Sequence, residues 1–186
     1  MSTASSKSHA ALPSPAHAPA DSMLGLLQAA PLMHQGQAID ALDLKTERDA
    51  ILSALRRAGR RVDVVCDFCT TRTLRALLTE GCRMLHYSGH GFSYVDRAGV
   101  ERARLAFEDG VGGTHALEVE KLTDLVAAGA EPAAGASLAP GEPPPPPLDF
   151  VFVSACHGAM GGDAFVAAGV PHVVAVRREA QLQDKA

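Results

Sequence analysis

Two residues carry the reactive chemistry of this sequence, and each stands just past an apolar run. His90 follows Met84-Leu85-His86-Tyr87-Ser88-Gly89, and Cys156 follows Phe150-Val151-Phe152-Val153-Ser154-Ala155. A thiolate is a strong nucleophile, and an imidazole within hydrogen-bond reach is the base that generates one. Glycines surround both positions: Gly89 and Gly91 flank the histidine, and Gly158, Gly161 and Gly162 follow the cysteine. Glycine lets a chain turn sharply and brings backbone N–H groups close to a bound molecule. The N–H groups of Gly91 and Cys156 are therefore expected to form an oxyanion hole. The later glycines are expected to leave room for a substrate. Ser154 and His157 adjoin the thiol and are candidates for lining its pocket. No third member is obvious, and a backbone carbonyl is expected to orient the imidazole.

Such a pair works only if the chain brings the two side chains to one place. Leu24 to Met33 is an apolar run ending near Pro31 and reads as a first strand. Asp40 to Ala58 has mostly helical spacing through Leu42, Leu44, Ile51, Leu52 and Leu55, with Gly59 as the stop. Val62 to Phe68 reads as a strand, and Thr70 or Thr71 caps a helix through Leu74, Leu77 and Leu78 to Gly81. Met84 to Ser88 is the next strand. Arg104 to Glu108 reads as one arm of a hairpin turning through Asp109-Gly110 and Gly112-Gly113, and Val119 to Ala128 as a helix. Leu148 to Val153 and Val170 to Val176 are nearly continuous in apolar residues, as in strands covered on both faces. A short helix is expected between them, from Asp163 to Ala168. Alternating strands and helices predict an α/β fold with a mostly parallel sheet. Its sites form where loops leave the carboxyl ends of the strands, which places His90 and Cys156 at one rim if their strands are neighbours.

Other chemistries fit less well. Cys66 and Cys69 have the spacing of half a zinc site, but the second pair is missing and packing is the better reading. Cys156, His157, His90 and His86 do not read as a zinc cluster, because adjacent residues of an extended strand point apart. His86 lies inside a strand pattern and reads as a packed core histidine. No metal and no cofactor are expected. A net charge of -4 argues against nucleic-acid binding, and Arg56, Arg57, Arg60 and Arg61 read as the cationic end of a helix. Hydrophobic residues make up 47%, enough for a sizeable core, although only 4% are aromatic and Trp is absent, so that core must be aliphatic. No apolar run approaches the roughly 20 residues that span a bilayer, and the four cysteines show no disulfide framework. A reducing, cytoplasmic setting is the expectation. Residues 1–22 read as a disordered leader, residues 23–186 as the domain, and 131–147, with five consecutive prolines, as a surface loop within it.

The motifs together resemble a known family. His86-Tyr87-Ser88-Gly89-His90-Gly91 followed by Ser154-Ala155-Cys156 is similar to the CHAT domain, a caspase-like fold often found with tetratricopeptide repeats. The similarity extends to Leu42-Asp43-Leu44-Lys45-Thr46-Glu47-Arg48, to Leu105-Ala106-Phe107-Glu108-Asp109, and to the stretch from Ala168 to Val176. The resemblance implies a three-layer caspase-like sandwich and a cysteine endopeptidase with a Cys156–His90 dyad. It also implies a protein or peptide substrate and a tetratricopeptide-repeat partner or domain. The alternative is a CHAT-like interaction or regulatory module whose dyad is idle. Caspase-type folds continue with further helix and strand after the segment matching Val170 to Val176, so the fold is expected to lack its C-terminal part. Ser154 stands where metacaspases carry the Asp that binds a basic P1 side chain, so a basic preference is not expected from that position.

Overall fold

The computed structural model describes residues 22–59, 61–130 and 148–175. In chain order its elements are β1 (Ser22–Ala29), the small hairpin β2 (Met33–His34) and β3 (Gln37–Ala38), α1 (Leu44–Ala58), β4 (Val62–Phe68) and α2 (Thr71–Thr79). Then come β5 (Met84–Gly89), β6 (Gly91–Val95), β7 (Glu101–Glu108), β8 (Thr114–Glu118), α3 (Val119–Ala127), β9 (Phe150–Ser154), α4 (Gly158–Ala167) and β10 (His172–Ala175). The leader up to Asp21 and the proline-rich stretch lie outside the described residues.

Five strands form one sheet in the order β10-β9-β5-β1-β4, and every pairing in it is parallel. The chain leaves β1 outward to β4, then crosses back over β1 to β5 and continues through β9 to β10. The order therefore reverses between β1 and β5, and doubly wound sheets place their sites outside the strand ends at such a point. One face of the sheet carries Leu27, Leu85, Tyr87, Val151 and Val153. These residues merge with Leu74 and Leu77 of α2, Leu122 and Val126 of α3, and Ala164 and Phe165 of α4 into one core. The other face carries Leu24 and Leu26 and is covered by α1, of which no residue is fully buried.

Local signals explain the helix ends. Thr70 starts α2 with a reciprocal capping box: its hydroxyl accepts from Thr73 N at 3.0 Å while Thr73 Oγ1 accepts from Thr70 N at 2.9 Å. Asp43 caps α1 by accepting from Thr46 N at 3.0 Å, so that helix begins at Leu44 and not at Asp40 as its apolar spacing suggested. Gly59 closes it in the left-handed conformation (φ 64°), which costs glycine least.

Two further readings of the sequence need correction. The first strand ends at Ala29, and the residues up to Met33 lead into the separate β2–β3 hairpin. The hairpin read from Arg104 through Gly112-Gly113 is present as β7 and β8, and β6 pairs with the other edge of β7 to make a three-stranded antiparallel sheet. The last helix begins at Gly158, five residues before Asp163, and takes in the glycines that were expected to make room for substrate. A Cβ at Gly161 would lie 2.9 Å from a Leu105 methyl, and one at Gly162 would lie 3.0 Å from Ala175 Cβ. Those glycines let α4 sit close on β7 and β10.

Candidate active site

Register decides what β5 and β9 can bring together. They are neighbours, and Ser88 stands opposite Ser154. His90 and Cys156 each lie two residues further on, so both leave the sheet at the same height and rim. Beyond the strands the two segments touch: a Cβ at Gly91 would fall on the carbonyl oxygen of Cys156. Neither Gly89 nor Gly91 has a positive φ. Close approach, rather than a sharp turn, is what demands glycine at Gly91.

His90 is fixed from three directions. Its Nε2 lies 2.9 Å from the carbonyl oxygen of Asp40, in the segment leading into α1. A carbonyl only accepts, so Nε2 carries the proton and Nδ1 is left as the basic nitrogen. The backbone carbonyl of His90 accepts from Ala106 N at 2.9 Å, tying it to β7. The fully buried Tyr87 hydroxyl sits beneath, 2.6 Å from the Ala106 carbonyl and 3.1 Å from that of His90. Burial pushes the Tyr87 phenol well above its usual range, so it stays a neutral donor. Phe92 lies 6.2 Å from the His90 ring, centroid to centroid, and stacks at 4.1 Å on His34.

Cys156 is exposed at the turn from β9 into α4. Gly158 N donates to Ala155 O at 3.1 Å, and His157 takes a left-handed conformation (φ 55°, ψ 21°) that is costly for a residue with a side chain. Strain of this kind persists only where the surroundings over-determine it, and it clusters at functional sites. The His157 ring leaves its Nδ1 buried and without a partner among the described residues. The other cysteines are elsewhere: Cys66 is exposed on β4, whereas Cys69 and Cys82 are buried, and burial raises both of those thiols. Cys66 and Cys69 thus share no environment. Among the described residues no group of three or more His, Cys, Asp and Glu side chains is arranged to hold a metal ion.

A residue not singled out as chemical in the sequence sits below this rim. The Glu47 carboxylate, from the first turn of α1, accepts from Ser88 Oγ at 2.6 Å and lies 3.1 Å from His86 Nε2, with Ser154 close beside it. His86 Nε2 is also 2.9 Å from Ser88 Oγ, and its ring stacks on Phe152 at 4.9 Å. This is not a serine nucleophile with its base. Ser88 is only 1% exposed, it gives its proton to Glu47, and both partners crowd the same imidazole nitrogen. The signal was in the sequence: Glu47 falls on the same helical stripe as Leu44 and Ile51, where a carboxylate is out of place unless bonded.

Burial by itself pushes the Glu47 carboxyl up, but the polar neighbours His86, Ser88 and Ser154 outweigh it and hold the group below its ordinary value near 4.5. A depressed folded-state value stabilises the fold above the unfolded value, and the contribution is lost as pH falls through the folded one. Amide hydrogen exchange along α1 is therefore expected to be slow at neutral pH and to gain protection loss, relative to α2, only on acidification below about 4.5. Equal loss from both helices at that pH would refute the assignment.

A parallel five-stranded sheet between helical layers, with reactive side chains gathered past the carboxyl ends of two neighbouring strands, places the protein among the caspase-like α/β sandwiches. The chain belongs to the CHAT domain family, which matches residues 2–181, nearly its whole length. That family is caspase-like and peptidase-related. Comparison with curated proteins finds no match. Among the described residues no helix is long and apolar enough to cross a membrane.

Proposed function

We propose that the domain is a cysteine endopeptidase in which Cys156 is the nucleophile and His90 the general base. The observation that supports it most is the register: β5 and β9 are parallel neighbours whose ends deliver an imidazole and a thiol at the same height, with the Gly91 backbone against that of Cys156. In this reading His90 Nδ1 takes the thiol proton and Sγ attacks the peptide carbonyl carbon. The tetrahedral oxyanion forms facing the N–H groups of Gly91 and Cys156, near the positive end of α4. Collapse releases the amine, which leaves with the proton from His90, and a thioester remains. Water, deprotonated by the same nitrogen, then hydrolyses the thioester and restores the thiol. Asp40 holds the imidazole in the tautomer this requires. Ser154 lies beside Glu47 and so contributes to the floor of the site, while His157 borders the nucleophile.

The test is covalent labelling by a set of peptidyl acyloxymethyl ketones varied at the residue next to the ketone. Wild type is expected to be labelled at Cys156, with labelling absent in Cys156→Ala and reduced at least about a hundredfold in His90→Ala. Equal labelling of wild type and Cys156→Ala would end the reading. Labelling that survives intact in His90→Ala would favour an idle module with an exposed thiol.

A further inference from the structure

We infer that Glu47 is a positioning residue for the Cys156–His90 pair: a carboxylate that ties the ends of both dyad-bearing strands to the start of α1. The inference rests on the peptidase reading above and deepens it. Three observations converge on the first turn of one helix. Glu47 accepts from Ser88, two residues before His90, and lies close to Ser154, which stands opposite Ser88 and two residues before Cys156. It also bonds His86, which is stacked on Phe152 of β9, so the cluster bridges β5 and β9. Within the same few residues, Leu44 O accepts from Gln28 Nε2 of β1 at 2.8 Å, and Asp40 O accepts from the His90 ring. The start of α1 therefore reaches the ends of β1, β5 and β9 and the candidate base itself.

Apolar packing cannot supply this precision on its own. No residue of α1 is fully buried, whereas α2, α3 and α4 are each anchored by residues at or near zero exposure. A helix docked through a half-exposed stripe is free to slide unless polar bonds set its register. The Glu47 bonds are directional, and the one from the Ser88 hydroxyl is charge-assisted, which roughly doubles its strength over a neutral one. Moving α1 would move Asp40 and with it the imidazole, while loosening Ser88 against Ser154 would change the offset of the two strand ends. Either displacement acts on the distance between nucleophile and base, and a misplacement of about 1 Å can cost about a hundredfold in rate.

The experiment uses the full chain and whichever acyloxymethyl ketone labels wild type fastest. It measures the maximal inactivation rate kinact and the half-saturating concentration KI. Glu47→Ala is expected to lower kinact at least about tenfold while leaving KI within about twofold, because the bond-forming geometry changes and the probe's binding does not. Glu47→Gln keeps the length and an oxygen acceptor for the Ser88 hydroxyl, and is expected to retain kinact within about threefold of wild type. Leu52→Ala, which loosens α1 without touching the cluster, controls for simple destabilisation and is expected to leave kinact per folded molecule unchanged. The inference is overturned if Glu47→Ala reacts like wild type, if Glu47→Gln is as slow as Glu47→Ala, or if Leu52→Ala is equally slow. It falls for a different reason, together with the peptidase reading, if His90→Ala also reacts like wild type.

Discussion

In a Gly91→Ala variant, labelling of Cys156 by the peptidyl ketone is expected to drop at least about a hundredfold, and the fold to lose about 1–3 kcal/mol. The added methyl has nowhere to go. Its ideal position coincides with the carbonyl oxygen of Cys156, and Ala155 Cβ is 3.6 Å away on the same side. The obstacle is backbone, so no rotamer change relieves it: either β6 moves off the turn or the turn moves off β6. Both movements separate the segments that carry His90 and Cys156 and turn the Gly91 and Cys156 N–H groups away from a common point. Torsional strain contributes nothing, because Gly91 is outside the left-handed region. Gly99 supplies the converse case, with φ of 79° and nothing within 4 Å of an added Cβ. Gly99→Ala is expected to cost about 1 kcal/mol of backbone strain and to label at the wild-type rate. Wild-type labelling in Gly91→Ala would show that the contact between the two segments has no bearing on reactivity.

The sheet was legible because its strands are of the easiest kind. Leu148 to Val153 and Val170 to Val176 are nearly unbroken apolar runs, which strands acquire when helices cover both faces, and Met84 to Ser88 is a shorter one interrupted by His86. The same runs led directly to His90 and Cys156, since a chain leaving a doubly wound sheet presents its next residues at the rim. The antiparallel sheet was harder to see. Phe92 and Tyr94 do alternate with Ser93, but β6 is short, opens on a glycine and is at most half buried, so its period carries little signal. Only β7, with Leu105, Ala106 and Phe107 in the core, announced itself.

The start of α4 was illegible for a physical reason. Gly158, Gly161 and Gly162 each cost a helix about 1 kcal/mol relative to alanine, so local preference argues against helix where tertiary contact imposes it. Contact with Leu105 and Ala175 requires residues without a Cβ at two of these positions, and that requirement cannot be read without knowing what lies opposite. The Glu47 cluster failed to appear for a related reason. His86 was correctly placed in a strand, but its bonding partners, Glu47 and Ser88, come from another element and from two residues along the same strand. Pattern reading finds faces; it does not find which polar groups meet across them.

The helix that sequence rules would have shortened should prove among the most sensitive parts of the fold. Phe165, the largest side chain of α4 in the core, is 1% exposed and packs among Val170, Ala164 and the residues of the inner sheet face. Phe165→Ala removes most of a ring from a close-packed interior and is expected to cost about 3–5 kcal/mol. Against a typical total of about 5–15 kcal/mol for a domain, that is roughly a fifth or more of its stability. Val166, its neighbour, is 57% exposed on the outer face of the same helix, and Val166→Ala should stay within about 0.5 kcal/mol of wild type. Urea midpoints of the two variants, with unchanged m-values, measure both costs. A loss below about 1 kcal/mol for Phe165→Ala would mean that the core does not close around α4. In that case nothing would hold the strained turn at His157, which feeds directly into that helix, in the position that exposes the Cys156 thiol.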